Sequence, residues 1–153
     1  LDVDWSEQAV RAAESYLDTM AFSRQGLIDQ LSSEYGEGYD LKDAKWAVNQ
    51  LDVDWQEQAV RSAENYLETM PFSQQGLIDQ LSSENGEAFS LEDATAAVTQ
   101  LDVNWNEQAV RSAENYLETM PFSRTELIDQ LSSEYGEGFT LDQAPYAVDT
   151  IGL

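Results

Sequence analysis

Cysteine and histidine are both absent from this chain. The first absence excludes disulfides and thiolate metal sites; the second removes the commonest metal ligand and the usual general base near neutral pH. Positive charge is scarce too, with seven lysines and arginines against thirty aspartates and glutamates and a formal net charge of −23. No apolar run approaches the roughly 20 residues that cross a bilayer, and no signal peptide precedes Leu1. The expectation is a soluble region, mature or truncated, whose anchor lies upstream if one exists.

What the chain does have is repetition. "LDVDWSEQAVRAAESYLDTM" at residue 1 returns as "LDVDWQEQAVRSAENYLETM" at 51 and "LDVNWNEQAVRSAENYLETM" at 101, a period of 50 residues. The units are 1–50, 51–100 and 101–153, the last carrying the C-terminal end. A unit this small buries too little surface to be comfortable alone, so neighbours are expected to share core. Each carries ten acidic residues, against four, one and two basic ones, so every unit is acidic by itself.

Trp5, Ala9, Ala13, Tyr16, Leu17 and Met20 keep the spacing of one helical stripe and predict helix A. Asp4 with Glu7, Asp54 with Glu57 and Asn104 with Glu107 have the spacing of a capping box. Pro71 and Pro121 lack the amide hydrogen that would carry helix A onward. Ser23, Ser73 and Ser123 are suited to cap helix B, with Leu27, Ile28, Leu31 and Tyr35 on its inner face. Gly36, Gly86 and Gly136 are expected to close helix B in the left-handed conformation. At the next turn position Ala88 replaces Gly38 and Gly138, which argues that positive φ is not required there. Asp40, Ser90 and Thr140 can cap helix C, whose Leu41, Ala44 and Val48 are expected to point inward and hand over to Leu51. Ile151 holds the place of Leu51 and Leu101, ahead of the closing "GL". Pro145 conflicts with the fifth position of the last helix C and predicts a strained or frayed start. The fold class is therefore all-α, a tandem array of three helix-turn-helix-like three-helix repeats, extended or gently curved.

The alternation of "A..YL.TM.FS", "LI.QLSSE.GE.F", "L.DA..AV" and "L.VDW.EQAV" resembles the host cell surface-exposed lipoprotein repeat, the Ltp family. The resemblance covers nearly the whole chain three times over. It implies repeats displayed outside the membrane of Gram-positive bacteria and tethered through a lipidated cysteine, so that membrane contact comes only through an anchor this chain lacks. Phage-encoded relatives are superinfection-exclusion proteins that stop an incoming phage from injecting DNA. The implied partner is protein, a basic segment of the phage tape-measure protein. The sequence departs from the family in lacking that cysteine, in having three repeats where phage members typically have two, and in the close likeness of its repeats.

A DNA-reading helix-turn-helix lays its second helix in the major groove among phosphate-binding cations. Here Lys42 and Lys45 on the first helix C are opposed by Asp40 and Asp43. The second copy offers Glu92 and Asp93, the third Asp142 and Asp149, and neither has a cation. Nucleic acid is therefore not an expected partner. Asp2, Asp4 and Glu7 could suggest a calcium loop, but an EF-hand needs more oxygen ligands over twelve residues and a glycine at the sixth; capping accounts for Asp4 and Glu7 without a metal. Paired carboxylates can hydrolyse glycosides, yet among thirty acids a suitable separation is bound to occur by chance, and nothing nominates a nucleophile. No enzyme activity, cofactor or metal is expected.

Trp5, Trp55 and Trp105 are expected to pack between repeats beside Val3, Val53 and Val103. Position 46 differs: Trp46 becomes Ala96 and then Tyr146. A core residue should vary less among such close copies, so this position is expected at the surface, where an aromatic can anchor a partner. Lys42, Lys45, Trp46, Glu92, Asp93, Asp142 and Tyr146 on helix C are the candidate partner-binding residues. The function so indicated is an acidic extracellular protein-binding module. A surface spacer and an acidic DNA mimic are the alternatives.

Overall fold

The computed structural model describes residues 3–152. Asp2 of the calcium reading and Leu153 of the closing "GL" lie outside the described residues. Within them are nine helices and no strand: α1 (Trp5–Thr19), α2 (Arg24–Ser32), α3 (Leu41–Gln50), α4 (Trp55–Thr69), α5 (Gln74–Ser82), α6 (Leu91–Gln100), α7 (Trp105–Thr119), α8 (Arg124–Ser132) and α9 (Gln143–Thr150). In each unit the third helix packs against both of the others, while the first two touch less.

The short polar residue caps each first helix as the sequence predicts, but the reciprocal bond of a capping box, from the cap amide to the glutamate side chain, does not form among the described residues. Asp4 accepts from the Glu7 amide at 3.2 Å, Asp54 from the Gln56 and Glu57 amides, and Asn104 from the Glu107 amide. Replacing aspartate by asparagine in the third copy keeps the acceptor and loses only the charge. Ser23, Ser73 and Ser123 likewise accept from the amides of Gly26, Gly76 and Glu126.

Each unit builds its centre from small residues on the first helix, branched ones on the second, and two alanines and a valine on the third. Ala59, Ala63, Leu77, Leu81, Ala94, Ala97 and Val98 are fully buried in the middle unit. Alanines on facing helices permit close approach, and the leucines fill what remains. Phe89 and Phe139, immediately after the turn, are also buried. The helical periodicity did not select them because they stand outside any helix.

Four inward assignments and one cap need correction. Tyr35 is 93% exposed, because α2 stops at Ser32 and the turn carries residue 35 outward. Asn85 at the same place was the signal for this. Leu41 is exposed, since it opens α3 ahead of the buried Ala44 and Val48. Met20 terminates α1 in extended conformation and is exposed. Trp5 is 60% exposed, whereas Trp55 and Trp105 pack against the preceding repeat's core. The tryptophan position is thus a junction position at Trp55 and Trp105. Finally, Asp40 makes no side-chain cap, although Ser90 does, accepting from Asp93 at 3.1 Å.

The turn glycines exchange roles relative to expectation. Gly36, Gly86 and Gly136 do not have positive φ; a Cβ there would overlap the carbonyl oxygen of Gln30, Gln80 or Gln130. It is Gly38 and Gly138 that adopt φ of 71° and 73°, and Ala88 follows at 58°. An alanine tolerates that conformation at a cost of about 1–2 kcal/mol, so its presence did not mean that the backbone was relaxed. Pro145 behaves as predicted at the start of the last third helix: residues 141 and 142 form a turn, α9 begins at Gln143, and the proline falls in its first turn. Thr140 and Gln143 close this shortened start reciprocally, with bonds of 3.0 and 3.1 Å.

Junctions are built twice with the same parts. The Phe22 amide donates to the Gln58 side chain at 3.2 Å, and Phe72 to Gln108 at 3.1 Å. Ser23 donates its hydroxyl to the Glu87 carbonyl, and Ser73 to the Glu137 carbonyl. Leu51 and Leu101 complete the apolar side of each joint, and Ile151 fills the matching place on the third core. Close approach depends on Gly76, where a Cβ would stand 3.3 Å from the Glu137 carbonyl. In the third repeat Glu126 holds that place and is exposed.

Two stability predictions follow from these contacts. Ala88→Gly is expected to raise the urea midpoint, by about 1 kcal/mol of stability, because it removes left-handed strain. Gly76→Glu is expected to cost about 2 kcal/mol or more by prising the second junction apart. Glu126→Gly should cost no more than its helix-propensity difference, about 1 kcal/mol. Equal losses for these two would refute the close-approach role of Gly76.

Candidate functional site

The third helix of each unit occupies the position of a recognition helix, and its outer face determines what it can read. On α3, Lys42, Lys45 and Trp46 are exposed, while Asp43 is half-buried and accepts from Ser6 Oγ at 2.8 Å. On α6, Glu92 is exposed and Asp93 is half-buried against the Ser90 cap. Tyr146 on α9 and Asp142 just ahead of it are exposed. Trp46 and Tyr146 are 46% and 50% exposed, so position 46 is a surface position. These residues form no single cluster: they occupy matching places on three helices, one set per repeat.

Charge on these faces is partly committed. Arg124 Nη1 and Asp149 Oδ1 form an exposed ion pair at 2.6 Å, and Arg24 bonds to Asn49 at the corresponding place in repeat 1. An exposed pair contributes about 1 kcal/mol or less, but it removes that arginine from the inventory of groups that could approach a phosphate. The outer faces of α6 and α9 carry acids and no cation. Among the described residues no three acidic, histidine or cysteine side chains converge as metal ligands, and no buried side-chain polar atom lacks a partner.

A second recurrent feature was not selected by sequence reasoning. Tyr16 donates to Glu37 at 2.6 Å and Tyr116 to Glu137 at 2.8 Å, and Gln30, Gln80 and Gln130 donate to the three matching phenols. Phe22, Phe72 and Phe122 meet the same rings edge-on, with centroids 5.7 Å apart in each case. The participants stand 14 and 21 residues apart, too far for helical periodicity to link them. Their recurrence in every repeat was the available signal.

The described residues form an all-α array of small repeats with exposed, variable aromatics and an acidic outer face on the second and third units. The particular kind follows from comparison. The family model for the host cell surface-exposed lipoprotein, Ltp, matches residues 4–51, 54–101 and 104–151, and the chain belongs to that family. Its structure is similar to that of Ltp, a superinfection exclusion protein from the Streptococcus thermophilus temperate phage TP-J34, at 29% identity and a TM-score of 0.59. That likeness covers 67% of this chain and all of the other. No curated protein matches the chain. Among the described residues no helix is long and apolar enough to cross a membrane.

The tyrosine–glutamate contacts make a pH prediction. Burial, followed by the Glu87 charge, pushes the Tyr66 phenol above its ordinary value; burial and the Glu137 bond do so for Tyr116. For Tyr16 the Glu37 bond comes first. A raised phenol favours the protonated folded state, so its contribution is fully present below about pH 10 and is lost as pH rises through the raised values. Ultraviolet titration should show these three ionising after the unfolded-chain value, and the Tm should fall above about pH 10. A Tm that is flat through that range would contradict the assignment.

Proposed function

We propose that this chain is the displayed region of a superinfection-exclusion lipoprotein. It is a non-catalytic acidic module, held outside the cell membrane by a lipid anchor, that captures a basic segment of an incoming phage's injection machinery. The family resemblance makes the tape-measure protein the candidate partner. The observation that carries this reading is the structural likeness to a superinfection exclusion protein over all of that protein's chain.

The physical properties of the surface support the same reading. Thirty acidic groups against seven basic ones speed encounter with a cationic partner and repel DNA and teichoic acids. Screening confines that effect to about 8 Å at physiological salt, so the charges on the docking face decide it. We place contact on the outer face of the third helices. Trp46 and Tyr146 serve there as anchors, Glu92, Asp93 and Asp142 as the acidic surround, and Lys42 and Lys45 mark the first repeat's face as distinct. Three repeats supply several weak sites to one partner, and linked sites add avidity without new contacts.

The experiment is phage challenge of cells that display the tethered chain. Glu92→Lys with Asp142→Lys should reduce protection about tenfold, as expected for a loss near 1.4 kcal/mol in capture, while circular dichroism stays unchanged. Full protection with both charges reversed would rule out the third-helix face.

A further inference from the structure

Two equivalent clefts open at the two junctions, of about 330 and 280 Å³. Met20 at the end of α1 and Tyr66 on α4 are walls of the first; Ser62, Asn65 and Glu87 supply its polar lining. Met70, Tyr116, Ser112, Asn115 and Glu137 repeat the arrangement in the second. Each cleft therefore combines a thioether, a phenol ring and a carboxylate, and neither is lined by a lysine or arginine.

Three observations indicate what fits. A long apolar stem ending in a positive charge matches apolar walls beside an anion, and that is the shape of lysine and arginine. Methionine recurs at this position in every repeat although it is about half exposed and outside the core clusters. Its flexible, polarisable side chain adapts to a ligand stem. Lastly, one polar lining position differs in kind between the copies: Ser62 and Ser112, which line the two junction clefts, correspond to Ala12 in the first repeat. Ser62 is only 3% exposed, with its hydroxyl 3.5 Å from Glu87 Oε1. Alanine would occupy such a site without a polar atom to desolvate, so packing alone does not account for the serine.

We propose that each junction cleft seats one lysine or arginine side chain of a bound basic segment. The stem lies between Met20 and Tyr66 with its charge on Glu87 in the first cleft, and between Met70 and Tyr116 with its charge on Glu137 in the second. This rests on the reading of the protein as a captor of basic polypeptide and adds where the cations go. Two seats one repeat apart select a partner whose positive residues are spaced to reach both.

The test is fluorescence-anisotropy titration of the full chain with labelled oligolysine at physiological salt, with the acetylated peptide as uncharged control. Glu87→Gln with Glu137→Gln keeps the acceptors and removes two charges; Kd should rise about tenfold, the equivalent of 1.4 kcal/mol. Glu64→Gln with Glu114→Gln removes two exposed charges outside the clefts and should change Kd by less than about twofold. Met20→Ala with Met70→Ala leaves the charge intact and should still weaken binding by about threefold, from the lost stem contact. Equal loss from the two glutamate pairs, or wild-type affinity in the methionine pair, overturns the clefts as seats. Failure of the wild-type chain to prefer oligolysine over its acetylated form would instead overturn the basic-segment reading itself.

Discussion

A loop amide between two helices is a group that folding must satisfy, and at Phe22 and Phe72 it is satisfied from the next repeat, by Gln58 and Gln108. Both glutamines are buried. One such bond contributes about 1 kcal/mol net, but stranding a buried donor costs about 1–3 kcal/mol, so each repeat depends on its successor more than the bond's own strength suggests. Ser23 and Ser73 extend the dependence, since each caps its own helix and also donates to the following turn. One residue thus ties local helix initiation to the placement of the neighbouring unit. The tryptophans at 55 and 105 add the apolar part of the joint.

The three copies differ at the positions that form these joints. In the first repeat Trp5 is exposed and Ala12 stands where the later copies have a buried serine. In the third Glu126 takes the place of Gly76, and Ile128 is less buried than Ile28 or Ile78. Substitutions at positions 42, 45 and 46 and their counterparts are of another kind: they vary on the exposed face of the third helix and change the surface without affecting the joint.

Much of the fold was legible because helix caps and stripes are local. Asp4, Ser23 and Pro145 each act within a few residues, and the structure uses them as their chemistry suggests. Errors arose where the third dimension intervened. Tyr35 has the spacing of a core residue, but the helix ends before it. Ala88 suggested a relaxed turn, yet it is held at positive φ by a turn whose bonds run back to Ser83 and Leu81. The surface place of Trp46 could be inferred from its variation among copies. The junction clefts could not, because their walls come from residues some 40 to 70 positions apart whose proximity exists only once two repeats have docked.

The helix-turn-helix outline and groove reading rest on different residues. The outline is fixed by buried alanines, leucines and valines, by caps and by turn glycines, none of which touches nucleic acid. Groove reading depends on the outer face of the third helix, which contributes little to the core and is free to change sign. With acids at Glu92 and Asp142 and no cation on α6 or α9, approach to a phosphate backbone is opposed within the distance at which salt still leaves charges visible to one another. On the proposed reading the same reversal favours cationic polypeptide without altering a single core residue. Stacking the units also creates at each joint a cleft that no lone helix-turn-helix has, so that repetition supplies the stability that a 50-residue unit lacks together with the surface proposed to seat a partner's side chains.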